Sequence, residues 1–340
     1  MKSKNMVRKV LSVLSVSLLL MQAAEAKKPV LKFNEDGKFK IVQFTDTHIG
    51  KGGKTTEYRG IQADKTFDRI SRVIRHEGPD FVVFTGDIVT AGDAVGCWNR
   101  LMDTISVLQV PFCVVYGNHD PEAEISREDM SKCIASAPYS LNLLDKSRSL
   151  ADVQLEVLSS KGDRPSLYLY CMDSHDYSTI EYVDGYGWFT PEQVEWLRNS
   201  CLATTERNGG KVVPSLAFFH ICLPEYVTAW DNGKNTRKGR SAENECPAAL
   251  NTGMYAAMVQ TGSVMGTFVG HDHDNDYVVA ENGIALGYGR YSGDDSTYNN
   301  LRPGARIIVV EEGNRAFQSW ILEDDLRVVD KMTFENGKIK

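Results

Sequence analysis

Phe39-Lys40-Ile41-Val42-Gln43-Phe44-Thr45-Asp46-Thr47-His48 sets the pattern of this chain: a short β-rich run followed at once by polar side chains. Beyond it, Phe67, Ile70, Val73 and Ile74 recur at helical spacing up to Gly78-Pro79, a stop signal. Asp80 to Thr85 then reads as a second strand, Trp98 to Leu108 as a second helix and Pro111 to Tyr116 as a third strand. Two consecutive strand-helix-strand units predict a largely parallel sheet covered by helices.

The alternation continues outward. Pro121 to Ser149 reads as a charged surface segment, and strands follow at Gln154 to Leu158 and Leu167 to Met172. Thr190, Pro191 and Gln193 form the N-cap, N1 and N3 of a capping box, predicting a helix to about Ala203 with Val194, Leu197 and Cys201 inward. Val213 to Phe219 is a strand, Pro247 to Val259 a helix and Val264 to Val269 another strand. The tail from Tyr277 to Leu322 has strand-rich runs and Gly turns, which predict an antiparallel continuation. At 340 residues a chain has room for two domains. No linker or repeat divides this one, so a single large α/β domain over residues 27–340 is expected.

The N-terminus has a different character. Lys2, Lys4, Arg8 and Lys9 precede an apolar run from Val10 to Met21, and Ala24-Glu25-Ala26 puts small residues before Lys27. Residues 1–26 are therefore expected to be a signal peptide that exports the chain to the periplasm or the exterior. The apolar run is too short for a stable bilayer span, which needs about 20 residues. The net charge of −7 becomes more negative once this basic segment is removed, so non-specific nucleic-acid binding is not expected. Seven cysteines in no zinc-type spacing, several inside apolar runs, read mostly as core residues.

The strand ends carry the chemistry. Asp46-Thr47-His48, Gly86-Asp87, Gly117-Asn118-His119-Asp120, His220 and Gly270-His271-Asp272-His273 each follow a strand, and five of the seven histidines fall there. In open α/β sheets the crevice beyond the carboxyl ends of strands is where ligands bind. Setting His119, Asp120 and Asp272 aside, these blocks supply two Asp, one Asn and four His. Carboxylate, amide and imidazole without thiolate suit Mn, Fe or Zn in an open catalytic site.

In this order and spacing the five blocks resemble the calcineurin-like metallophosphoesterases. More narrowly, Asp173-Ser174, Asp176-Tyr177-Ser178, Gly185-Tyr186-Gly187-Trp188 and Pro224-Glu225-Tyr226 resemble the exported purple acid phosphatase-like subgroup. The resemblance implies two packed mixed β-sheets flanked by helices. It also implies two metal ions, one held by Asp46, His48, Asp87 and His273, the other by Asn118, His220, His271 and the bridging Asp87. His119 would serve the leaving group, oriented by Asp120. The substrate would be a small phosphate ester, with a monoester favoured. A diesterase or nucleotidase on the same metals and an idle metal- or phosphate-binding protein are the alternatives. Thr90 stands where purple acid phosphatases carry the iron-binding Tyr, so a purple iron site is not expected.

Outside the blocks, Arg290 in a Gly-rich segment is a candidate phosphate contact. Lys234, Arg237, Lys238 and Arg240 read as a solvated basic loop, and His175 as a structural histidine.

Overall fold

The computed structural model describes residues 28–50, 57–90, 93–293 and 301–340. The expected signal peptide lies outside the described residues. Two mixed sheets pack face to face. The first contains β1 (Leu31–Lys32), β5 (Val153–Leu158), β6 (Pro165–Cys171), β7 (Ser215–Phe218), β8 (Arg237–Lys238), β9 (Val264–Val269), β10 (Val278–Glu281) and β11 (Ile284–Tyr288). Its order is β1-β5-β6-β7-β9-β11-β10-β8. The second contains β2 (Lys38–Phe44), β3 (Phe81–Thr85), β4 (Phe112–Val115), β12 (Gly304–Glu311), β13 (Ala316–Glu323), β14 (Val328–Glu335) and β15 (Lys338–Ile339), in the order β15-β14-β13-β12-β2-β3-β4.

Strand composition explains this arrangement. Phe81, Val82, Val83, Phe84 and Thr85 are all buried because both faces of β3 are covered. On the inner face, Phe39, Ile41, Phe81, Val83 and Cys113 join the core that Leu169, Leu216, Phe218 and Phe268 of the other sheet complete. On the outer face, Val42, Phe44, Val82 and Phe84 pack on α1 (Glu57–Glu77) and α2 (Ala94–Leu108) through Phe67, Ile70, Trp98 and Leu101. The far side of the first sheet is covered by α4 (Pro191–Arg207), α5 (Glu225–Asp231) and α6 (Met254–Thr261), with Leu197, Cys201, Tyr226 and Met258 inward. The result is a four-layer sandwich with helices outside and sheets inside.

β2, β3 and β4 pair in parallel, as the alternation predicts. The capping box at Thr190 and Gln193 is formed, and Leu197 and Cys201 face inward, with Val194 only partly buried. Three expectations need correction. Pro121 to Ser149 is not only surface: it carries α3 (Arg127–Ser136), capped by Ser126, with Met130 and Ile134 buried. The Pro247 helix begins only at Met254, because Ala248 is engaged by Cys222 O and bridges Tyr186. The tail does not extend one sheet. β10 and β11 close the first sheet, whereas β12 crosses to pair antiparallel with β2 in the second. Five cysteines are buried, Cys133 is partly so and Cys246 is exposed, and all seven are free thiols. Among the described residues no helix is long and apolar enough to cross a membrane.

Candidate metal centre

The carboxyl ends of β2, β3 and β4 in one sheet and of β7 and β9 in the other converge on one spot. Gln43 Nε2 ties them together by donating to Thr85 Oγ1 at 2.8 Å and to Val269 O at 3.0 Å. Past the strand ends, Asp46 N donates to Gly86 O and His48 N to Asp87 O, each at 3.0 Å, so the two ligand-bearing loops remain laced together. Asp46, His48, Asp87 and His271 have φ of 51°, 43°, 51° and 79°. Left-handed backbone at four non-glycine residues costs of order 1–3 kcal/mol each, and such strain clusters at functional sites. Gly117 and Gly270 are needed here, because a Cβ at the first would overlap Asp87 and at the second Thr45 and Asp46.

Two ligand groups result. Asp46, His48, Asp87 and His273 each offer an atom within 4.8 Å of the others, and so do Asp87, His220 and His271. Asp87 belongs to both. The imidazole nitrogens of His48 and His273 face each other at 3.2 Å, His273 Nε2 lies 3.4 Å from Asp46 Oδ1, and His220 Nε2 lies 3.2 Å from Asp87 Oδ2. Among the described residues, two buried atoms of the expected second group, Asn118 Oδ1 and His271 Nε2, have no hydrogen-bond partner, and His220 Nε2 has the Asp87 carboxylate beside it. Buried polar atoms are ordinarily satisfied. An amide oxygen and an imidazole nitrogen left open, beside a carboxylate shared by two ligand groups, are donors of the types that bind Mn, Fe or Zn and fit a metal pair.

The surroundings aim these atoms. His220 Nδ1 donates to Thr85 O at 2.7 Å, which leaves Nε2 facing Asp87 and able to serve as a ligand nitrogen. Asn118 Nδ2 donates to the Tyr177 hydroxyl at 3.1 Å, which turns Oδ1 inward. Asp46 accepts from Thr45 Oγ1 at 2.7 Å and from His271 N at 3.1 Å. Charges respond accordingly. Burial alone would lower the His220 imidazole, but Asp87 and then Asp46 outweigh it and push it up to about 10. His271 is pushed down to about 3 by burial and by His220. Burial would raise Asp87, yet His220, His48 and His119 hold it well below the usual carboxylate range. Neighbouring imidazoles thus act on the carboxylate that the two groups share.

All seven expected ligands therefore meet at one place. His119 stands beside them with a 40% exposed side chain, and its ring centroid is 5.8 Å from that of His48. Asp120, expected to orient it, does not touch it. The Asp120 carboxylate is fully buried and accepts from Ile88 N, Val89 N and Gly117 N at 2.8, 3.1 and 2.8 Å. The partner of His119 is Glu122, whose Oε2 lies 2.8 Å from Nδ1. Glu122 Oε1 accepts from the Tyr177 hydroxyl at 2.9 Å, which closes a ring of Asn118, Tyr177, Glu122 and His119. The only sequence hint of Glu122 was its i+3 spacing from His119 on the short helical turn Asp120–Glu122.

Arg290 also departs from expectation. It is 1% exposed, its Nε and Nη2 engage Asp276, and its Nη1 donates to Arg302 O at 2.6 Å and lies 3.4 Å from Glu323. A guanidinium enclosed in this way is a structural ion pair and cannot reach a phosphate. His175 is structural, as expected: Nε2 lies 2.8 Å from Gln193 Oε1. The expected basic loop is in part a strand: Arg237 and Lys238 form β8 against β10, with Arg237 over the Trp230 ring and Lys238 4.0 Å from Asp330.

Comparison with known proteins agrees with the geometry. The family model for calcineurin-like phosphoesterase matches residues 39–275, and the chain belongs to that family, within its purple acid phosphatase-like group. A protein of Arabidopsis thaliana named "Probable inactive purple acid phosphatase 29" is 30% identical, covering 87% of this chain and 83% of that one. Phosphatase DCR2 of Saccharomyces cerevisiae is also 30% identical, over 76% of this chain and 49% of its own length. Among solved structures, a dimetal phosphatase from Danio rerio superposes with a TM-score of 0.59 at 15% identity, covering 88% of this chain and 99% of that one. That likeness shows the fold alone.

Proposed function

We propose that this protein is an exported, dinuclear-metal-dependent phosphoesterase, with phosphomonoesters as its substrates. The observation that carries the proposal is the pair of ligand groups sharing Asp87, with Asn118 Oδ1 and His271 Nε2 left open among the described residues. A pair of Mn, Fe or Zn ions held there supplies positive charge to polarise the phosphoryl oxygens and to lower the pKa of water.

The chain's own residues do the rest. Asp87 balances charge on both sides, and its Oδ1 accepts His119 N at 2.8 Å, which fixes the backbone of the catalytic turn. His119 lies outside both ligand groups; with Nδ1 held by Glu122, its other ring nitrogen is available to give a proton to the departing alcohol. Asn118, turned by Tyr177, presents an oxygen and no N–H to the centre.

The deciding experiment measures the metal content of purified protein together with hydrolysis of a panel of mono- and diesters after chelation and reloading with Mn, Fe or Zn. Monoester hydrolysis that is lost and regained with metal is expected. Metal uptake without hydrolysis of any ester would instead favour the metal- or phosphate-binding alternative, with which the "inactive" in the name of the Arabidopsis relative is compatible. The export part is tested by mass: secreted protein beginning at Lys27 is expected, and retention of Met1 to Ala26 would refute it.

A further inference from the structure

The segments 175–179 and 185–190 form a short two-stranded ribbon at the rim of the metal centre. Ser178 N donates to Gly185 O at 2.9 Å, Gly187 N donates to Asp176 O at 3.2 Å, and Tyr177 and Tyr186 face each other across the pair. Their rings stack at 5.7 Å and 26°, and Tyr186 meets His271 edge-on at 4.2 Å. Tyr177 is pinned at its hydroxyl by Asn118 and Glu122, while the residue is 44% exposed. One aromatic wall therefore starts at a metal ligand, passes the carboxylate that holds His119 and runs outward.

Along this wall lies a half-open cleft of about 270 Å³, lined by His175, Tyr177, Thr179, Gly187, Trp188 and Thr190. Its lining is mostly apolar and, among the described residues, contains no carboxylate, ammonium or guanidinium. The volume falls just below that of ordinary small-molecule sites, roughly 300–1,000 Å³, which suits part of a ligand better than a whole one. A larger cleft of about 390 Å³ adjoins it through His175 and Thr190. The arginine there, Arg127, is engaged by Asp173 and Asp176, so that cleft is not a second phosphate site.

Resting on the phosphoesterase reading, we propose that the smaller cleft is the subsite for the alcohol half of the substrate, and that it selects phosphate esters carrying a neutral aromatic ring. The phosphate belongs at the metals, and the leaving oxygen belongs beside His119. Tyr177 is the side chain that joins that position to the cleft. Two aromatic walls, Tyr177 and Trp188, favour a flat ring by offset or edge contact. The lack of fixed charge disfavours a second phosphate or an ammonium group, whose desolvation would go uncompensated.

The test uses non-hydrolysable probes on the full-length, Mn-loaded protein, with affinities measured by calorimetry. Benzylphosphonate is expected to bind about tenfold more tightly than methylphosphonate, as burial of one ring in a half-open cleft implies. Thr179→Trp, a change at an exposed lining position, fills the cleft. It should erase the difference, and Trp188→Ala should reduce it. Equal affinities in the unaltered protein would overturn the proposal. So would a ring preference that survives both substitutions. Hydrolysis of phosphate esters is scored separately: a ring preference in a protein that hydrolyses none would support the subsite and refute the phosphoesterase reading.

Discussion

Replacing Arg290 with Met separates a structural arginine from a substrate-binding one. In the fold, Arg290 is 1% exposed and Asp276 is not exposed at all, and the two are joined through Nε and Nη2. Among the described residues, removing the guanidinium leaves the Asp276 carboxylate buried with the backbone N–H of Arg240 donating to Oδ1 at 2.7 Å and Arg306, whose Nη2 donates to the Asp276 carbonyl, as the remaining buried cation beside it. Glu323 is less affected because Arg327 still pairs with it. Breaking one side of a buried ion pair costs about 3–5 kcal/mol, most of it from the stranded charge. The expected result of urea denaturation is a loss of that size, and kcat/KM measured well below the transition should change little. A phosphate-binding arginine would behave in the opposite way, with KM rising and the urea midpoint unmoved. That second pattern would refute the placement of Arg290.

Other perturbations follow from the same geometry. Asp87→Asn removes the charge common to both ligand groups and should lower metal content and hydrolysis together; normal metal loading measured by atomic emission would contradict the shared-ligand arrangement. His119→Ala should keep its metals yet slow the hydrolysis of alkyl phosphates by about 10²- to 10⁴-fold, with a smaller loss on nitrophenyl esters, whose leaving group needs no proton. Glu122→Ala should show the same leaving-group dependence at roughly tenfold, since misorientation costs less than deletion. Asp120→Asn should chiefly lower stability, because that carboxylate holds three backbone N–H groups. Iron-loaded protein should lack a strong purple band: Thr90 occupies the tyrosinate position, the Tyr116 hydroxyl is on Ser131 and that of Tyr288 on Asp272. If such a band appears, Tyr177, whose hydroxyl lies 3.1 Å from Asn118 Nδ2, is the first phenol to replace.

The proposed ligand set was legible in the chain because metal chemistry restricts residue type, and parallel strands restrict position. Asp46, His48, Asp87, Asn118, His220, His271 and His273 each sit just past a hydrophobic run; parallel pairing aligns the ends of β2, β3 and β4 in one sheet and of β7 and β9 in the other, and the packing of the two sheets brings both sets of ends together. The capping box at Thr190 was equally plain, since its partners are three residues apart. Contacts made across sequence distance were decided only by the fold. β12 lies beside β2 because the second sheet needed a buried neighbour for Ile41 and Val42, and no local pattern encodes that choice. Arg290 looks like a phosphate ligand in isolation; 14 residues away, Asp276 claims it. Asp120 follows His119 directly, yet a residue's neighbour in a tight turn points elsewhere, and the buried N–H groups of Ile88 and Val89 captured its carboxylate. Glu122, one helical turn on, inherited the histidine, and Tyr177 reached it across 55 residues. Residue chemistry and strand period act locally and can be read along a chain, whereas the pairing of charges and hydrogen bonds is settled by which partners packing leaves within 3 Å.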